Sequence, residues 1–147
     1  MGKLRVLLAD DHTIVAEGLR LLLEDEFDLV GIVGDGRAMV DAARKLSPDV
    51  VVADISMPVM SGLDAARQLK QDGSTAKIVF LTMYTDLQLV AEALRAGASG
   101  YLVKSSAGEE LIAAIHKVVK GGIVTSAALS AANVTWPAKS GRESRIT

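Results

Sequence analysis

Apolar residues in this chain follow two spacings in alternation. Short runs rich in Val, Ile and Leu stand at Leu4–Ala9, Asp28–Val33, Asp49–Ala53, Lys77–Thr82 and Ser99–Val103. They show little polar alternation, the pattern of strands buried on both faces of a parallel sheet. Elsewhere apolar positions recur at helical spacing. These are Val15, Leu19, Leu22 and Leu23; Met39, Val40, Ala43 and Leu46; Leu87, Val90, Ala91 and Leu94; and Leu111, Ile115 and Val118. Thr85-x-x-Gln88 and Ser106-x-x-Glu109 have the form of capping boxes, and Gly73, Gly97 and Gly121 stand where helices should stop. Five βα units follow, which predicts a parallel α/β sheet with helices on both faces.

The alternation ends near Gly121-Gly122, so residues 1–122 are expected to form the folded domain and 123–147 a linker or flexible tail. From Ser126 onward the chain runs through Ala, Ser, Asn, Thr and Gly, with Pro137 and no sustained helical period. Charge changes sign there too. Up to residue 132 there are 13 basic against 17 acidic residues, whereas the remainder holds Lys139, Arg142 and Arg145 against Glu143 alone. The whole chain of 147 residues, half of them apolar, suffices for one good core.

A formal charge of −2 gives no reason to expect a whole-chain polyanion binder. The absence of cysteine excludes a disulfide framework and thiolate metal sites. Asp10 interrupts the first apolar run, so there is no signal-peptide core, and no run reaches the roughly 18 apolar residues of a membrane span. Met1-Gly2 opens like an acylation signal, but Val6 stands where Ser or Thr is wanted. The expectation is a soluble cytoplasmic protein without a membrane partner.

Four of the apolar runs end in polar residues: Leu7-Leu8-Ala9-Asp10-Asp11, Val51-Val52-Ala53-Asp54, Val79-Phe80-Leu81-Thr82 and Tyr101-Leu102-Val103-Lys104. In one parallel sheet these groups converge on the carboxyl edge, where open α/β folds place their sites. Adjacent carboxylates repel unless a cation holds them, and a hard divalent ion takes oxygen ligands. Asp10 and Asp11 therefore form a candidate metal seat, and Asp54 is a third ligand or a nucleophile toward phosphorus. The metal and Lys104 would offset charge on phosphoryl oxygens, and the Thr82 hydroxyl would donate to one of them. The expected chemistry is phosphoryl transfer onto the protein itself.

At these residues the chain resembles the receiver domains of two-component response regulators, from about Lys3 to Gly122. Asp10 and Asp11 match the acidic pair, Asp54 the phosphoacceptor, Thr82 the switch hydroxyl and Lys104 the site lysine. Met57-Pro58-x-Met60-x-Gly62 matches the loop after the acceptor, and Ala96-Gly97-Ala98-x-Gly100-Tyr101 the approach to the fifth strand. Asp-Asp-His, Leu-Thr-Met and a lysine followed by Ser are similar to the NarL/FixJ (LuxR-type) class, whose members carry a C-terminal helix-turn-helix. The resemblance implies a flavodoxin-like (CheY-like), doubly wound, five-stranded parallel sheet of order 2-1-3-4-5. It also implies Mg²⁺ (or Mn²⁺) held by Asp10, Asp11, Asp54 and the Ser56 backbone carbonyl. A sensor histidine kinase would donate the phosphoryl group. Thr82 and Tyr101 would act as the switch that alters the face of the fourth helix, fifth strand and fifth helix, with transcription regulated in the parent protein. The chain would be a phosphoacceptor rather than a turnover enzyme.

Met83 is bulky beside Thr82, and Ser56 and Tyr84 occupy positions that tune dephosphorylation in the family. His12 suggests a metal ligand or phosphorelay residue, but is read as a neighbour of the site at a helix start; His116 is read as surface. Phosphorylation-dependent homodimerisation is expected to be weak and salt-sensitive, with Arg95, Lys117 and Lys120 on the relevant helices. After Gly122 some 25 residues cannot hold a helix-turn-helix, so either the chain is part of a longer regulator or the output domain is missing. Specific DNA binding by this chain alone is not expected. Two rival readings share the architecture. A haloacid-dehalogenase-type phosphatase needs Asp-x-Asp after the first strand, where Thr13 stands two residues past Asp11; a flavin module needs a phosphate-cradling loop that Asp10-Asp11 would repel.

Overall fold

The structure, a computed structural model, describes residues 3–83 and 88–126 together with the backbone of Leu87. Tyr84, the Thr85-x-x-Gln88 capping pattern and the tail beyond Ser126 lie outside the described residues. The elements are β1 (Arg5–Ala9), α1 (Thr13–Glu26), β2 (Asp28–Val33), α2 (Gly36–Leu46), β3 (Val50–Asp54), α3 (Gly62–Gln71), β4 (Lys77–Thr82), α4 (Leu87–Arg95), β5 (Gly100–Val103), α5 (Ala107–Val119) and β6 (Val124–Thr125). A 3₁₀ turn at Lys104–Ser106 joins β5 to α5.

All strands are parallel in the order β2-β1-β3-β4-β5-β6. The expected 2-1-3-4-5 arrangement is present, with β6 added at the edge beyond β5. The Val/Ile/Leu runs divide their side chains between two cores because successive strand residues point to opposite faces. Leu7, Ala9, Val51, Ala53, Phe80 and Tyr101 pack under α2, α3 and α4. Val6, Leu8, Val50, Val52, Val79, Leu81 and Leu102 pack under α1 and α5. Strand β3 is buried at every position. The edge strand β2 is only partly buried, with Ile32 in contact with solvent, so burial on both faces does not extend to it.

The helical stripes hold in outline, but in α1 Ala16 is buried while Val15 and Leu22 are only partly covered, and α4 is rotated as well. Leu111, Ile115 and Val118 of α5 are fully buried, but α4 turns Val90 and Ala93 into the core while Ala91 and Leu94 are only partly covered. A period counted on large side chains passes over Ala93, whose small volume lets the helix approach the sheet.

Gly73, Gly97 and Gly121 all have positive φ and end their helices as expected. At each, the glycine N–H bonds three residues back and the next N–H five residues back, for example Gly73 to Lys70 and Ser74 to Leu69, a Schellman closure. The Ser106-x-x-Glu109 box does not form. The Ser106 hydroxyl donates to the Val103 carbonyl instead, because α5 is entered through the 3₁₀ turn.

The fold runs past Gly122. Val124 and Thr125 pair with Gly100 and Tyr101. Ser126 is fully buried, its Oγ accepting from the Val103 N–H and donating to Glu110, both at 2.7 Å. A serine in a polar stretch carries no sequence sign of this; the buried Val103 N–H at the sheet edge creates the demand.

Candidate functional site

Register brings the polar strand ends together. Ala9 lies opposite Ala53, Asp54 opposite Leu81, and Thr82 opposite Val103. Asp10 and Asp54 therefore leave neighbouring strands side by side. Lys104 begins two strands from Asp54 and three from Asp10, so its side chain must run across the end of β4, with the carboxylate side chains reaching toward it. Its side chain is 5% exposed, and Nζ lies 3.0 Å from Asp54 Oδ2 and 3.1 Å from Asp10 Oδ2.

Each carboxylate has a different environment. Asp10 Oδ1 accepts the His12 backbone N–H at 2.8 Å and so serves the start of α1. Asp10 Oδ2 is buried and accepts no directed hydrogen bond, despite the nearby ammonium. Asp11 stands a third exposed at the mouth. Asp54 Oδ1 accepts from the Ser56 N–H at 3.2 Å, and Lys104 donates to Oδ2. Burial pushes the Asp54 carboxyl above the ordinary carboxylate range, the Lys104 ammonium and the Ser56 N–H pull it down, and Asp10 adds to the rise.

Two glycines fix the loop after Asp54. A Cβ on Gly62 would overlap the Asp54 carbonyl oxygen, and one on Gly36 would overlap that of Met60. These close approaches carry the bonds Gly62 N–H to Ile55 and Gly36 N–H to Met60. Between them Met60 N–H bonds to the Pro58 carbonyl at 2.7 Å across Val59, which has φ 68° and is 81% exposed. This is a γ-turn on a β-branched residue, a strained conformation held by its surroundings.

Asp10, Asp11, Asp54 and Lys104 thus assemble as expected. Thr82 is buried at the end of β4 and Tyr101 is fully buried in β5, whereas Ser56 is exposed and Met83 projects to solvent at 59% exposure. His12 stands as expected, beside the site at the start of α1. Its Nδ1 lies 3.2, 3.4 and 3.3 Å from carboxylate oxygens of Asp10, Asp11 and Asp54. The available signal was its place two residues after Asp10, in the turn between β1 and α1. His116 stays at the surface, half exposed, tilted against Phe27 and 3.3 Å from Glu26.

The donor set fits a divalent cation: hard oxygens on neighbouring strands, with one buried carboxylate oxygen lacking a directed partner. Residues 6–116 match the family described as the response regulator receiver domain. The chain belongs to that family. Such receivers are phosphoacceptors rather than turnover enzymes, which sets aside the phosphatase and flavin-module alternatives, and they imply a histidine kinase partner.

The transcriptional regulatory protein YdfI of Bacillus subtilis is 38% identical to this receiver over 122 residues, 82% of this chain and 57% of that protein. The chain therefore spans little more than half of that relative. A LuxR-family two-component response regulator from Aurantimonas superposes with a TM-score of 0.83 at 34% identity, covering 88% of this chain and 94% of that one. The isolated receiver of RcsB from Salmonella enterica serovar Typhimurium, solved with the phosphomimetic BeF₃⁻, gives a TM-score of 0.79 at 28% identity, covering 88% and 97%. Among the described residues, no helix is long and apolar enough to cross a membrane.

Proposed function

We propose that Asp54 accepts a phosphoryl group from the phosphohistidine of a sensor histidine kinase. An Asp54 carboxylate oxygen forms the new bond to phosphorus, the nitrogen–phosphorus bond breaks, and the donor imidazole keeps its electron pair and takes up a proton. The buried carboxylate of Asp54, held by Lys104 at 3.0 Å among further acids, is the observation that carries this reading.

Asp10, Asp11, Asp54 and the Ser56 carbonyl would hold Mg²⁺ or Mn²⁺, which supplies charge neutralisation on the phosphoryl oxygens. Lys104 follows the acceptor oxygen and Thr82 donates its hydroxyl to the phosphoryl group, while buried Tyr101 reads that change on the next strand. Ser56, Met83 and Tyr84 set access and therefore the lifetime of the acyl phosphate. In the parent protein the output is transcription, in the cytoplasm where receiver and kinase meet. Residues 1–122 are the receiver and 123–147 a connector, with β6 as its docked start. Pairing between phosphorylated copies would be weak, and this chain alone would not bind DNA specifically.

Incubation with acetyl phosphate and Mg²⁺ should add one phosphoryl group by intact mass, mapped to Asp54. Mass added at another residue would overturn the assignment.

A further inference from the structure

The imidazole of His12 is set apart from an ordinary surface histidine by how many groups share one of its nitrogens. Nδ1 lies within 3.4 Å of oxygens from Asp10, Asp11 and Asp54, yet only the Asp10 contact has hydrogen-bond geometry. It is also 3.1 Å from Lys104 Nζ. Protonated, Nδ1 donates to Asp10; deprotonated, its lone pair accepts from the Lys104 ammonium, and that second form is the one in which imidazole binds metals. As the residue before α1 it makes no capping bond with its side chain. The separations are those of ligands sharing an ion, because atoms at about 2.1 Å from a metal and at right angles stand about 3.0 Å apart. Asp10 Oδ2 is buried with the Lys104 ammonium 3.1 Å away but accepts no directed hydrogen bond, which leaves its lone pairs available to an ion. The ring is half exposed, leaving the cluster open to solvent on that side.

We infer that His12 Nδ1 is a direct metal ligand, making this a mixed nitrogen and oxygen site that favours transition ions such as Mn²⁺ over Mg²⁺. This rests on the proposed metal-dependent phosphoacceptor. Oxygen donors suit Mg²⁺, whereas imidazole adds affinity for first-row transition ions. The ion occupying the receiver, and with it the rate of phosphoryl uptake, then depends on the ratio of the two metals.

Pulsed electron paramagnetic resonance of Mn²⁺ bound to the metal-stripped, unphosphorylated 147-residue chain should show coupling to a directly bonded ¹⁴N. His12→Ala should remove that coupling and lower the ratio of Mn²⁺ to Mg²⁺ affinity about tenfold, the low end of what a metal-site partner contributes. Asp11→Ala should weaken binding of both ions. Bound Mn²⁺ without nitrogen coupling would overturn direct ligation by His12, whether or not the affinity ratio changed, and would leave the oxygen site standing. Failure of wild type to bind Mn²⁺, or binding indifferent to Asp11→Ala, would overturn both the ligand and the metal seat.

Discussion

The two ends of this sheet treat charge in opposite ways. At the amino end lies an open cleft of about 720 Å³ lined by residues including Leu4, Arg44, Ser47, Asp49, Asp72 and Lys77. Its charges are spent on structure. Arg44 pairs with Asp72 at 2.8 Å, and Asp49 accepts the Arg5 backbone N–H at 2.8 Å. At the carboxyl end the acids Asp10, Asp11 and Asp54 face Lys104 and His12, and Asp10 Oδ2 still lacks a directed partner. Incompletely balanced charge on converging strand ends, rather than a cleft as such, marks the chemistry of this fold.

The largest contrast between the two ends concerns phosphoryl uptake. Asp54→Asn should abolish it, whereas Arg44→Ala should take up phosphate at the wild-type rate and lose at most about 1 kcal/mol of stability, as exposed ion pairs do. Uptake lost in Arg44→Ala, followed by intact mass, would break the comparison. The glycines sharpen it next. Gly62→Ala drives a Cβ into the Asp54 backbone and should cost about 1–3 kcal/mol or more. Gly73→Ala, at the amino end, meets open space and carries only the strain of its φ of 79°, about 1–2 kcal/mol. Denaturant melts giving the reverse order would show that the acceptor loop is not packed as described.

Ser126→Ala should cost about 1–3 kcal/mol, because it leaves the buried Val103 N–H without its acceptor. An unchanged denaturation midpoint would mean that Ser126 is not docked on Val103 in solution. Smaller, and opposite in sign, is the effect of removing the Asp54 charge. Since burial raises this carboxyl, the folded state holds its proton above the pH at which the unfolded chain releases it. Stability falls as pH rises from the ordinary carboxylate range through the raised value. Metal-free Asp54→Asn should therefore gain on wild type across that window and stay ahead above it. Parallel pH curves for the two proteins in thermal unfolding with chelator would contradict the burial penalty.

Much of this was legible in one dimension. Short continuous apolar runs, helical spacings and turn residues report local geometry, and they placed the five main strands and the glycine stops because each depends on near neighbours in the chain. The carboxylates and Lys104 were legible because a polar residue closing an apolar run must emerge at a strand end. Ala93 and Ser126 were missed for the opposite reason. A small residue hides its packing in a volume count, and a serine becomes structural only when a distant N–H, here that of Val103, needs an acceptor.

Sequence by itself therefore determined the alternation of elements, the sheet edge that carries chemistry and the residue types that meet there. Tertiary structure alone decided that Lys104 reaches across β4 to two carboxylates, that Gly36 and Gly62 pin the acceptor loop, that β6 extends the sheet, and that His12 faces the acids. Each of these joins groups far apart in the chain or turns a side chain in space, and neither distance nor direction is carried by local pattern.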